Sequence, residues 1–230
     1  MQELEKRFKK VQNKINRAAE RAGRDPAEIE LVAVSKQQPV EKIRFFLEKG
    51  LKIFGESRAQ ELRDKYEELC EAEISWHFIG HLQRNKVKYL MRMKKCSLIH
   101  SLDSPRLARE INKRARKNKR VIPVLVQVNM ARDENKFGIM PEDVLDFLQE
   151  IRDLENIVVK GLMTLVPYFD EPEKARPYFR RLAALREEGE ELGYNLNELS
   201  MGMTNDFEVA IEEGSTMVRI GRALFGPRNY

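Results

Sequence analysis

Eight short strand-like runs recur along this chain, at 30–36, 52–56, 75–80, 97–103, 121–129, 157–165, 198–202 and 217–221. Helix-like stretches separate them at 40–49, 58–71, 85–93, 104–117, 141–151, 172–192 and 206–213, behind an opening amphipathic helix over about 1–22. Strands that alternate with helical connections pair in parallel, and a parallel sheet is covered on both faces. Gly50 and Gly214 stand just past helix ends, and Ser104-Pro105 offers an N-cap followed by proline at the first helical position. No linker, low-complexity tract or short repeat divides the chain. The expected fold is therefore α/β, a single (β/α)8 TIM barrel over 1–230 with an extra N-terminal helix that helps to close it. A doubly wound open sheet is the alternative, and the count of eight favours the barrel.

Charged residues make up 34% of the chain, yet the net charge is only +5, so both signs are abundant and interspersed. Such richness in Lys, Arg and Glu is the pattern of surface ion-pair networks. The basic stretch from Arg106 to Arg120 lacks interleaved aromatics and is balanced by acids elsewhere, which favours a solvated helix over a nucleic-acid partner. Cys70 and Cys96 form no metal-type spacing and no disulfide framework. The N-terminus is charged, and no apolar run approaches the roughly 18 residues that cross a bilayer. A soluble, cytoplasmic protein without a membrane partner is expected.

In a barrel of this kind chemistry gathers where strands end. The first run, Glu30-Leu31-Val32-Ala33-Val34, ends in Ser35-Lys36 and meets Pro39. A lysine there can act as a nucleophile towards a carbonyl; it can also merely reach to water. The seventh and eighth runs open onto Ser200-Met201-Gly202-Met203-Thr204 and Gly221-Arg222. Small residues at these two strand ends are the usual phosphate site of such barrels, which would set a phosphorylated ligand across the mouth from Lys36. Arg219, two residues before Gly221, points by alternation away from Val218 and Ile220. Once buried it needs a partner, either a carboxylate or a ligand atom held unprotonated. His77 and His81 straddle a strand and its loop, so helical metal spacing does not apply and a core or loop role is expected. Lys136-Phe137-Gly138 reads as a loop over the site.

These segments resemble a known family. Val34-Ser35-Lys36, Phe54-Gly55-Glu56, the run from Trp76 to Lys86, Lys136-Phe137-Gly138, Gly161-Leu162-Met163-Thr164, Ser200 to Thr204 and Gly214 to Gly226 occur in the order of the pyridoxal phosphate homeostasis proteins, from end to end. That family is similar to the barrel domain of alanine racemase and ornithine decarboxylase without their second β-domain. The resemblance implies pyridoxal 5′-phosphate held covalently as a Schiff base on Lys36. It also implies a cofactor-binding set of Lys36, Ser57, His77, Ser200, Met201, Gly202, Arg219, Gly221 and Arg222, with the phosphate at Ser200, Gly202 and Gly221 and with Arg219 facing the pyridine nitrogen. No catalytic residue and no metal are expected. Ser57 stands where the family has asparagine, and Arg222 where it has threonine.

An arginine beside the pyridine nitrogen weakens carbanion stabilisation by this cofactor. The implied function is therefore a cofactor carrier in vitamin B6 and amino or keto acid homeostasis, without catalytic activity of its own. The expected partners are the cofactor and apoenzymes that receive it, and a monomer is the simplest state. A weak amino acid racemase is the alternative, and a cofactor-free Schiff-base aldolase or phosphosugar barrel is a second one.

Overall fold

The computed structural model describes residues 1–227, so 228–230, the end of the expected 1–230 domain, lie outside the described residues. Eight strands follow the apolar runs: β1 (Glu30–Val34), β2 (Ile53–Glu56), β3 (Ser75–Phe78), β4 (Cys96–Leu102), β5 (Ile122–Val128), β6 (Ile157–Thr164), β7 (Glu198–Ser200) and β8 (Met217–Ile220). Each pairs in parallel with the next, and β8 returns to β1 with Glu30 opposite Met217 and Ala33 opposite Ile220, which closes the barrel. Closure leaves no barrel strand among the described residues with an edge open to another chain.

Nine helices surround it: α1 (Gln2–Arg21), α2 (Val40–Glu48), α3 (Ala59–Glu68), α4 (Val87–Leu90), α5 (Pro105–Lys117), α6 (Val144–Ile151), α7 (Arg176–Glu191), α8 (Phe207–Glu212) and α9 (Arg222–Phe225), counted among the described residues. Their boundaries follow local chemistry. The Ser104 hydroxyl accepts from the amide of Leu107, as an N-cap should, and Pro105 occupies the first helical position. Gly50 and Gly214, past the ends of α2 and α8, take φ of +86° and +93°, a region that glycine enters without a Cβ penalty.

Alternation along the strands divides the core in two. Val32, Leu98, Leu125, Met163 and Met217 point inward and form a small cluster inside the barrel. Their neighbours, such as Ala33, Ile99, Val124, Leu162 and Val218, point outward into a much larger cluster under the helices. The opening helix α1 buries Leu4, Phe8, Val11, Ile15 and Ala18, one face at helical spacing. Phe8 meets Phe46 of α2 edge to face at 5.7 Å, and Phe46 meets Phe225 of α9 at 5.0 Å. So α1 covers the seam where α2 and α9 meet. An ion-pair network fastens it there: Lys14 and Arg21 reach Glu208 and Glu212 of α8, while Arg176 at the start of α7 holds Glu212 and Glu213.

Candidate functional site

The carboxyl ends of the strands surround a cavity of about 590 Å3, and its wall includes Lys36, Ser57, Arg219, Gly221 and Arg222. Leu165, Pro167 and Tyr168 after β6 and the segment Met203 to Asp206 after β7 complete much of the remainder. Five of the nine residues expected at the site thus face one cavity.

Lys36 is half-buried and sits on a turn gripped from behind. β1 stops at Val34, two residues short of the expected end, because Gln38 donates its amide back to the Ser35 carbonyl at 3.0 Å. Gln37 then takes a φ of +59°, uncommon for a side chain with a Cβ. Lys65 of α3 holds this turn. Its ammonium donates at 2.7 Å to each of three oxygens, the Ser35 carbonyl, Glu56 Oε1 and Glu61 Oε1. The Ser35 hydroxyl also donates to Glu56 Oε1 at 2.7 Å, and the Gln37 amide donates to Glu61 Oε1 at 2.5 Å. Both neighbours of Lys36 are therefore tied to the same charged cluster. Burial pushes the Glu56 carboxyl up, against the pull of Lys65 and Ser35, and Glu56 Oε2 is buried with no hydrogen-bond partner among the described residues.

The cavity floor continues into the barrel as a column of polar groups. Arg219 is only 3% exposed; its Nη1 donates to Ser200 Oγ at 2.5 Å and its Nη2 to the Thr164 carbonyl at 2.8 Å. Ser200 Oγ lies 2.9 Å from His100 Nδ1, and His100 Nε2 lies 3.0 Å from His77 Nδ1. A guanidinium only donates, so Ser200 accepts from Arg219; the assignment that gives each hydrogen along the column an acceptor has Ser200 donating to His100 Nδ1. His100 then carries its proton on Nε2 and donates to His77, whose proton is also on Nε2. Burial holds both rings neutral: it pushes His77 down to about 4 and His100 well below its ordinary value. Burial also pushes Arg219 down to about 10 against the pull of Asp206, which leaves it charged at neutral pH. Within the protein the Arg219 guanidinium thus bonds two neutral oxygens, where a carboxylate was one of the two partners expected.

The remaining expected residues lie off the cavity wall. Ser200 and His77 belong to the interior column, fully buried or nearly so. Met201 is fully buried in the outer core. Gly202 takes φ +92° and packs on α8, where a Cβ would come within 2.6 Å of Ala210 Cβ and 2.9 Å of Phe207 Cα. His81 forms part of the rim: it pairs with Asp103 after β4 at 3.0 Å and stacks on Phe137 after β5 at 3.5 Å between centroids. Lys65 and His100 were not singled out by sequence reasoning, because a helical lysine and a strand histidine carry no local signal; Thr164 belonged to a quoted segment, but the use of its carbonyl did not show.

A closed parallel barrel with a lysine at the end of its first strand and a buried arginine on its last defines the class: the chain is a barrel of the alanine racemase N-terminal type. The family model of that domain, "Alanine racemase, N-terminal domain", matches residues 7–229. Within that class the chain belongs to the pyridoxal phosphate homeostasis protein family. It is 51% identical to the pyridoxal phosphate homeostasis protein of Aquifex aeolicus over 97% of this chain and 98% of that one. Among solved structures it matches an unknown protein from Bifidobacterium adolescentis with a TM-score of 0.92, at 33% identity over 97% of this chain and 95% of that one. It also matches PipY of Synechococcus elongatus with PLP bound, with a TM-score of 0.81, at 30% identity over 93% of this chain and all of that one.

Proposed function

We propose that this chain, as a single barrel domain, binds pyridoxal 5′-phosphate covalently on Lys36 and keeps it as a carrier in the cytoplasm, serving cofactor and amino or keto acid homeostasis. The observation that carries this reading is the placement of the Lys36 amine and the Arg219 guanidinium on the wall of one cavity. The donor set fits the group. A primary amine suits an aldehyde, and Arg222, Thr204 and Asn205 stand on the same wall with hydrogen-bonding groups for a phosphate. Arg219 would meet the ring nitrogen as a donor, because its guanidinium stays charged. When bound, the cofactor supplies an electrophilic carbon and an electron sink.

What this chain's residues do follows from their surroundings. The cluster around Lys65 presents the Lys36 amine at a fixed point. Arg219 keeps an unprotonated acceptor in front of it and so restrains carbanion chemistry. Ser200 and His77 act behind Arg219 and hold it in place rather than touching the phosphate.

The test is absorbance of the loaded protein in the visible before and after borohydride, followed by peptide mapping. A band that borohydride removes, with the label on Lys36, supports the reading. A colourless protein points to cofactor-free barrel chemistry. Sustained racemisation of single-enantiomer amino acids that Lys36→Ala abolishes overturns the carrier role.

A further inference from the structure

Four of the large apolar side chains exposed among the described residues share one end of the barrel: Phe137 (55% exposed), Leu165 (38%), Tyr168 (69%) and Met203 (37%). They stand on the loops after β5, β6 and β7, around the mouth that Lys36 faces. Exposed aromatic and methionine side chains grouped in this way are the composition of a protein–protein interface core rather than of ordinary surface.

Beside the mouth, between the turn Arg84–Lys86 and helix α5, lies an open groove of about 740 Å3 lined by Arg84, Arg106, Arg109 and Lys113, with Gln83, Asn85 and Glu110. Where the cations of α7, and several of α1, face carboxylates, Arg84, Arg106 and Lys113 make no ion pair among the described residues. Only Arg109 has one, with Glu150. A smaller hollow of about 210 Å3 lies between them and shares Ser57 with the cavity and Gln83 with the groove.

We propose that the mouth rim and this groove together form a docking surface for a partner protein that carries an acidic patch beside an apolar one. Charge complementarity selects the acidic partner, since three unpaired cations line the groove. A protein fits better than a nucleic acid. The groove has no aromatic ring in its lining on which a base could stack. An occupant of both regions would lie across the cavity opening. The identity of the partner as an apoenzyme that takes the cofactor rests on the function proposed above; the existence of the surface does not.

The experiment uses stripped apo-aminotransferases with acidic active-site rims as probes, and reads association with the immobilised protein by biolayer interferometry. No bound cofactor is needed, so a failure of docking is separate from a failure of Lys36 to form a Schiff base. At least one probe is expected to bind, and to bind about tenfold or more weakly after Arg84→Glu/Arg106→Glu/Lys113→Glu. Phe137→Ser is expected to weaken it independently. A control with the same charge change on α1, Lys6→Glu/Lys10→Glu/Arg17→Glu, is expected to stay within about twofold of the unaltered protein. Thermal unfolding checks that the variants fold. The proposal is overturned if no probe binds, if the control loses as much as the groove variant, or if short single-stranded RNA binds through the same residues more tightly than any probe.

Discussion

The Lys65 ammonium donates to the Ser35 carbonyl at 2.7 Å, across 30 positions of chain, and so sets the peptide immediately before Lys36. The same ammonium neutralises Glu56, which is fully buried. Removing one partner of a buried pair leaves the other charge stranded, at roughly 3–5 kcal/mol. Lys65→Met is therefore expected to lower unfolding free energy by about that amount near neutral pH and to slow borohydride-trappable labelling of Lys36. Burial already raises the Glu56 carboxyl, so the loss should shrink at lower pH, where Glu56 takes up a proton. Urea titrations at pH 5 and pH 8 check this, and an equal loss at both would remove Glu56 from the explanation.

The directed column predicts a spectroscopic signature. The chain has only three histidines, so 15N-labelled histidine gives a sparse spectrum. His77 and His100 should both show the neutral form protonated on Nε2, unchanged between pH 6 and pH 8. Arg219→Met removes the donor that orients Ser200, and mixed tautomers should then appear. A protonated ring in the unaltered protein at pH 6 would refute the assignment.

At the opposite end of the barrel, Glu30 gives a pH dependence of stability. Burial, with a smaller push from Glu198, raises its carboxyl from 4.5 to about 7. The folded state then binds more protons than the unfolded chain between those values, so stability is fully present below pH 4.5 and is lost as pH rises through 7. The shift corresponds to at most about 3 kcal/mol. Glu30→Gln should be more stable than the unaltered protein at pH 8 and indistinguishable from it at pH 4.5.

Gly80 tests how the loops behind the mouth are packed. A Cβ there would fall 2.2 Å from the Ser57 carbonyl oxygen and 2.7 Å from its Cα, both backbone atoms that cannot swing aside. Gly80→Ala is expected to cost at least the roughly 1–3 kcal/mol of ordinary overpacking. Because the strain falls on Ser57, at the cavity wall, cofactor affinity measured by fluorescence quenching should fall more than it does for an exposed control such as Gly23→Ala.

The barrel was legible in the sequence because short apolar runs alternate with amphipathic helical stretches, a pattern that survives without knowledge of neighbours. Strand ends were less so. Ser35 and Lys36 continue the run in one dimension, yet the backbone leaves the ladder at Val34 because a lysine 30 positions away and the amide of Gln38 claim the Ser35 carbonyl. Lys36, Ser57, Arg219, Gly221 and Arg222 could be placed at the mouth by strand order alone. Ser200 and Gly202, expected at the phosphate, also have tasks that strand order does not show: one is a hydroxyl under an arginine, and the other is a seat for α8. Lys65 resembled any helical surface cation, and only its burial reveals its task.

Arg219 spends its charge in an interior where water would ordinarily be required. Its neighbours stand in for that water: the Ser200 and Thr164 oxygens face the cation, and in the tautomer assignment above each hydrogen further along the column points away from it, towards His77. The barrel thus contains a ready-made solvation shell whose dipoles cannot tumble. A ligand atom that arrives in front of the guanidinium meets a cation already stabilised from behind, and little reorientation is needed to receive it or to let it go.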